Sequence, residues 1–229
     1  RTEMLRHAGD DAFRESGFAA AATARHLGDA DRLARAALAM DDDFPPGVSL
    51  STDDPRLLLI DEALDALDTA PSELRAGLLG MKAVYMYWGP ERDARIAIGL
   101  EALAMARASG SAATMSRVLA RSWAFLDSSQ PTMHEVAGYS RETLALAPPG
   151  TGAYMVALEN LSAAAAVSGD TGTALDYLDQ LAVMARETRQ SAAILRSMIF
   201  SALLAVHVGE IERAESEALA ALEYGVVEP

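Results

Sequence analysis

The sequence predicts an all-α fold: a solenoid of helical hairpins running through all 229 residues as a single domain. Three observations carry that expectation. Hydrophobic residues make up 51% of the chain, yet only five are Phe and two are Trp; alanine and leucine, both good helix formers, dominate, and strand formers are sparse. Turn signals recur roughly every 40 residues, the kind of spacing that stacked helical units produce. Helices rich in charge alternate with helices that carry almost none, as outer and enclosed layers of a stack require.

The period is clearest at Gly169-Asp170. Gly209-Glu210 stands one unit later. Ser129 in DSSQPT, Gly89-Pro90, Ser49 and Gly9-Asp10 stand one to four units earlier, and each falls in a turn signal. Between the turns, apolar periodicity and punctuation predict about eleven antiparallel helices, over 10–27, 29–40, 54–69, 71–88, 90–109, 111–127, 132–147, 151–168, 170–188, 191–208 and 210–225.

Taken in order, the first two helices are divided by Gly28, suited to a left-handed helix end. The segment 41–53, DDDFPPGVSLSTD, then interrupts the array as its longest irregular connection. Pro55, Pro71 and Pro90 suit the first turns of the next three helices, where a missing N–H is harmless. Gly110 suits the end of the third of these. Thr132-Met-His-Glu135 reads as a capping box opening 132–147. Segment 151–168 carries only Glu159 and 191–208 only Arg196, so both are expected to be enclosed. Segments 90–109 (Glu91, Arg92, Asp93, Arg95) and 210–225 (Glu210, Glu212, Arg213, Glu215, Glu217) are the solvated partners.

Composition narrows the chemistry. There is no cysteine, which excludes a disulfide scaffold, a thiolate zinc site and a Cys nucleophile, and fits the cytoplasm. The formal net charge of −14 repels a nucleic-acid backbone, so no direct nucleic-acid binding is expected of this segment. No uncharged apolar run reaches the roughly 18–20 residues that span a bilayer, so no membrane partner is expected. The chain opens RTEMLRHAGDD without an initiating Met or an apolar leader, and reads as a piece of a longer protein.

Asp170-Thr171-Gly172 repeats the tripeptide of aspartic proteases, in which two carboxylates share a proton. Here it occurs once, between helical segments, where the other units place Glu210, Pro90 or Asp10. These residues start helices, so Asp170 is expected to cap the helix 170–188. His7, His26, His134 and His207 fall on separate helices without ligand spacing, and no HExxH, GxxxxGK[ST], GxSxG or GxGxxG motif is present. Asp41-Asp42-Asp43 lacks the alternation, glycine and distal Glu of a calcium loop and reads as a solvated acidic stretch. No catalytic residue, metal site or cofactor is expected.

GDTGTALDYLDQLAVMA, GEIERAESEALAAL and GPERDARIAIGLEALAMA share Gly, four residues, then Ala (Ala174, Ala214, Ala94), then an amphipathic helix. This resembles the second helix of a tetratricopeptide (TPR) repeat, although the period of about 40 exceeds the 34 residues of that family. The succession HLGDADRLARAALAM, LLLIDEALDAL, YWGPERDARIAIGLEALAMARASG and LDYLDQLAVMARETRQ is similar to the helical-repeat region of large actinobacterial multidomain regulators. Those proteins often join such repeats to a nucleotide-cyclase-like or DNA-binding domain and an ATPase module. The resemblance implies a right-handed superhelix acting as a non-catalytic interaction or effector-sensing part of a signalling or transcriptional regulator.

Equivalent positions can be compared across units. Leu78, Val118, Leu158 and Met198 form one column of the enclosed helices, and Leu74, Thr114, Tyr154 and Ile194 another, as helix packing requires. A stripe roughly opposite mixes aromatic and polar residues, in the manner of a recognition surface. From it Tyr87, Trp123, Asn160 and Arg196 are the candidate partner-binding residues, with core packing as the competing reading. Arg117 and Arg121, one turn apart on a nearby face, are candidate carboxylate or phosphate contacts, or else an ordinary surface ion pair. The expected partner is a protein or peptide, another domain of the same chain, or a small-molecule effector. A free-standing peptide adaptor and an all-helical enzyme are the rival readings.

Overall fold

The computed structural model describes residues 2, 12–41, 54–126 and 130–227. The turn signals at 9, 49 and 129, His7, Asp42, Asp43 and the remainder of the 41–53 connection lie outside the described residues. Among the described residues there are twelve helices and no strand: α1 Ala12–Leu27, α2 Ala30–Ala39, α3 Pro55–Ala66, α4 Glu73–Tyr85, α5 Arg92–Ser109, α6 Ala112–Ala120, α7 Ser122–Phe125, α8 Gln130–Leu146, α9 Gly152–Val167, α10 Thr171–Glu187, α11 Ser191–His207 and α12 Ile211–Val227. None is long and apolar enough to cross a membrane.

Local chemistry sets most of these boundaries. Side-chain oxygens of Asp29, Asp54, Ser72, Ser111, Thr151 and Asp170 each accept a first-turn backbone N–H, so α2, α3, α4, α6, α9 and α10 begin with a satisfied orphan donor. At the other end, one turn recurs. The N–H of Gly169 reaches the Ala166 carbonyl and that of Asp170 the Ala165 carbonyl, at 3.0 and 2.9 Å. Gly209 and Glu210 repeat the pattern, as do Arg189 and Gln190. The turn needs a left-handed residue: φ is 84° at Gly169, 82° at Gly209 and 54° at Arg189, the only non-glycine with positive φ among the described residues.

Several boundaries depart from expectation. The segment 111–127 is broken into α6 and α7, because the backbone leaves the helix at Arg121 (φ −89°, ψ 4°), whose side chain is buried. The expected eleven helices thereby become twelve. Helix α8 starts at Gln130, so Thr132 and Glu135 lie inside it and do not form a capping box; Pro131 falls in the first turn and does not block it. Pro71 and Pro90 precede the caps Ser72 and Glu91, leaving Pro55 as the one of the three at a helix start.

The chain divides into two compact units, 1–126 and 127–229. In the first, α4 touches α2, α3, α5, α6 and α7. Its residues Ala76, Leu78, Met81 and Ala83 are sealed from solvent, joined by Leu59 and Ile60 of α3 and Val118 and Leu119 of α6. Glycine permits one contact here: a Cβ at Gly99 on α5 would overlap the ring of Phe125 on α7, which is fully buried. In the second unit α8 to α12 pack consecutively, and α9 also touches α11. Helix α9 is enclosed as its composition requires, with Met155, Leu158 and Leu161 buried. Helix α11 is not enclosed throughout. Ala193, Ser197 and Ala205 are buried, whereas Ile199, Leu203 and Val206 are exposed.

The recurring turn gives a stability test. A left-handed L-residue costs about 1–2 kcal/mol, and the extra freedom of glycine in the unfolded chain takes back part of any gain. Arg189→Gly is expected to stabilise the chain by about 0.5–1 kcal/mol, read as a higher urea midpoint at unchanged slope. A lower midpoint would show that the turn after α10 does not need φ > 0.

Candidate functional site

The first unit gathers an aromatic cluster where α4 ends. Lys82 and Val84 carbonyls accept the N–H groups of Met86 and Tyr87, closing the helix and projecting Tyr87-Trp88 into the turn that Gly89 completes. The Tyr87 ring meets Trp88 edge-on, with centroids 4.8 Å apart and planes at 86°. On α7, Trp123 meets the same ring at 5.0 Å and 63°. Edge-to-face pairs at these separations are favourable beyond the area they bury. Tyr87 and Trp123 are half-buried, while Trp88 is 61% exposed. The placement of Trp123 depends on Phe125, two residues on, which is seated against Gly99.

Arg95, on α5, completes the cluster. Its guanidinium lies 4.8 Å from the Tyr87 ring centroid, and its Nη1 donates to the Tyr87 carbonyl at 2.6 Å. Arg95 belongs to a segment expected to be solvated, yet it is buried and its Nε lacks a hydrogen-bond acceptor. Burial lowers its pKa from the ordinary arginine value; Tyr87 opposes the change and Arg92 adds to it.

Arg117 and Arg121 do not act together. Arg117 is exposed in the last turn of α6. Arg121 is buried at the break between α6 and α7, where its Nη2 pairs with the Asp41 carboxylate. Asp41, expected in a solvated acidic stretch, is also buried. The pair ties the end of α2 to α6 and α7 and is no surface ion pair. Nearby, Thr114 Oγ1 donates to Glu73 at 2.9 Å, joining α6 to α4.

Asn160 and Arg196 belong to the second unit. Asn160 is buried on α9. Next to it, Glu159 receives the guanidinium fork of Arg196 from α11, with Nε to Oε2 at 3.2 Å and Nη2 to Oε1. Planar two-point pairing of this kind is the strong form of a charged hydrogen bond. Arg196 also lies 5.2 Å from the Phe200 ring centroid. Glu159 and Arg196 are the lone charges of two mostly apolar segments, and that isolation was the signal in the sequence that they are partners.

A cleft of about 250 Å³ lies between α8, α9 and α10, lined by His134, Arg141, Asp170, Thr173 and Tyr177 among others. At its edge Asp170 caps α10, with Oδ1 accepting the Thr173 N–H at 3.1 Å. Hydrogen bonds from the Thr173 backbone and then its side chain hold the Asp170 carboxyl below the usual aspartate value. That is the geometry of a helix cap, as the position of Asp170 between helical segments predicts. No group of three or more His, Asp or Glu is placed to hold a metal ion among the described residues. No protein-family model matches this chain, and no curated protein matches its sequence.

Two measurements test these contacts. Asp41→Ala leaves the Arg121 charge buried and unpaired, and is expected to destabilise the chain by about 3–5 kcal/mol in urea denaturation. Replacing both as Asp41→Leu and Arg121→Met is expected to recover most of that loss. Equal losses in the single and double variants would show that the pair is not the source. For Asp170, the lowered pKa means that its stabilisation is fully present above the ordinary aspartate pKa and lost as pH falls through the lowered one. The melting temperature of Asp170→Ala should therefore lie below wild type at pH 7 and converge on it in acid, while Asp170→Asn stays near wild type at pH 7. A constant gap between Asp170→Ala and wild type across that range would exclude the charged cap.

Proposed function

We propose that this chain is a TPR-like solenoid serving as a non-catalytic interaction or effector-sensing module of a signalling or transcriptional regulator in the cytoplasm. The observation that carries the reading is the Tyr87-Trp88-Trp123 cluster. Trp88 offers a large amphipathic surface to solvent, and Tyr87 beside it is backed by Trp123 and Arg95. Trp, Tyr and Arg are the residue types that dominate binding energy at protein interfaces, above all where neighbouring side chains hold them still. Packing between consecutive helices supports the solenoid, since stacked hairpins bury their faces against their neighbours. The net charge of −14 favours a protein or peptide partner, or another domain of the same chain, over nucleic acid.

One observation favours a small effector as a second reading. His134, Arg141 and Tyr177 converge on the cleft beside α10, whose volume of about 250 Å³ suits a ligand of few atoms. In either reading the enclosed ion pairs hold helices together and the ligand meets other groups.

A photo-crosslinking amino acid at position 88, with one at exposed Glu101 as control, tests the principal reading in cells. A protein captured at 88 and not at 101, then purified, should bind the chain directly. Trp88→Ala should weaken that binding about tenfold or more without changing the melting temperature. Trp123→Ala should weaken it and also lower stability, because its ring packs on Tyr87. Equal capture at both positions, or unchanged affinity of Trp88→Ala, would remove the cluster from the interface.

A further inference from the structure

The second unit presents an apolar groove of about 780 Å³ along α11 and α12. Leu195, Ile199 and Leu203 line it from α11, and Ile211, Ala218 and Leu222 from α12. Leu203, Ile211 and Leu222 are each more than half exposed. Isolated exposed leucines are ordinary, but a continuous strip of them in a concave surface marks an interaction site.

The chain itself shows what such a surface accepts. One sequence period earlier, Leu195, Ile199, Ala218 and Ala221 correspond to Met155, Glu159, Leu178 and Leu181, and all four of those are buried. Helix α11 packs on both α9 and α10, and its Arg196 covers Glu159. An apolar helix bearing one cation thus lies on the α9–α10 counterpart of this groove. In the groove the carboxylate stands elsewhere: Glu215 lines it, with Glu212 and Glu223 exposed on the same helix. Arg213 neutralises Glu210 and Glu217, whereas Glu212, Glu215 and Glu223 have no ion-pair partner among the described residues. A second copy of this chain, itself at −14, would set acid against acid.

We propose that the α11–α12 groove docks an amphipathic helix of a partner protein, apolar on one face and bordered by lysine or arginine. The apolar face replaces what α11 supplies to α9 and α10, and the basic border meets Glu215, Glu212 and Glu223. The proposal rests on the reading of the chain as an interaction module but on none of the residues of the aromatic cluster. The two sites therefore stand or fall separately.

The test uses a fluorescein-labelled synthetic helical peptide with leucines at i, i+3, i+4 and i+7 and lysines along both borders, and a twin bordered by glutamates. Fluorescence anisotropy against the whole chain is expected to give saturable binding of the lysine peptide, with the glutamate twin weaker by about tenfold or more. Leu203→Asp and Leu222→Asp, at exposed positions, should each weaken the lysine peptide by about tenfold or more at unchanged melting temperature. Glu215→Lys should weaken the lysine peptide and strengthen its twin, and Trp88→Ala should change neither. Failure of the lysine peptide to bind, equal affinity for both peptides, or affinities unmoved by the groove variants would overturn the proposal. So would a dimer seen in sedimentation that Leu203→Asp abolishes, since that would make a second copy the occupant. Equal capture at positions 88 and 101 with intact peptide binding would refute the aromatic site and leave the groove standing.

Discussion

Alanine and glycine let the helix backbones of this chain approach closely, and the remaining features follow from how little room is left between them. Ala21, Ala34, Ala63, Ala76, Ala102, Ala157, Ala174 and Ala193 are sealed from solvent on eight different helices. Between surfaces of this kind a bulky side chain fits only where its neighbour is small, as Phe125 fits against Gly99. That contact fixes α7, and α7 carries Trp123 to Tyr87. A buried charge needs compensation, because an isolated ion in such a contact would be desolvated without return, and Arg95 finds it in the carbonyl and ring of Tyr87. Arg121 has Asp41 and Glu159 has Arg196. Among the buried hydroxyls, that of Ser162 donates to the Ala174 carbonyl at 2.8 Å.

The helices and the repeated turn were legible in the sequence because both are written locally. Periodicity marks a helix wherever it occurs, and glycine at 28, 110 and 169 announces a left-handed residue without reference to anything distant. Arg189 adopts the same conformation without that announcement, since the turn is held by its backbone hydrogen bonds and tolerates the strain. The break at Arg121 was not legible, because it comes with a partner 80 residues away. Asp41 was hidden for a related reason: it opens a run of three aspartates, and the run suggests solvent. Competition between neighbouring caps decided the rest. Ser72 and Asp54 hold their helices by side-chain bonds, and a nearby proline does not shift them.

Among the residues singled out for recognition, the structure separates two kinds of polar and aromatic group. Arg121, Arg196 and Asn160 are drawn inward. Tyr87 and Trp123 are half-buried and Arg117 faces outward, as do Trp88, Leu203 and Leu222, which were not among the candidates. The stripe of Tyr87, Trp123, Asn160 and Arg196 mixes half-buried and buried positions, because equivalent positions along successive helices need not have equivalent cover. Position 203 is exposed, and its counterpart Ala163 is half-buried. A side chain chosen for its chemistry alone cannot reveal which neighbour will lie on it.

The separation of Asp41 and Arg121 has a consequence for how the chain is made. A ribosome adds about 5–20 residues per second, so the 80 residues between them take roughly 4–16 s to synthesise. Helix formation is complete within microseconds. Throughout that interval α2 can be helical while the guanidinium that later meets the carboxylate at its end has not yet been made. The pairing that joins Asp41 to Arg121 cannot form until α6 and the residue after it have been made. The contact between the end of α2 and the break between α6 and α7 is therefore one that awaits the last part of the first unit.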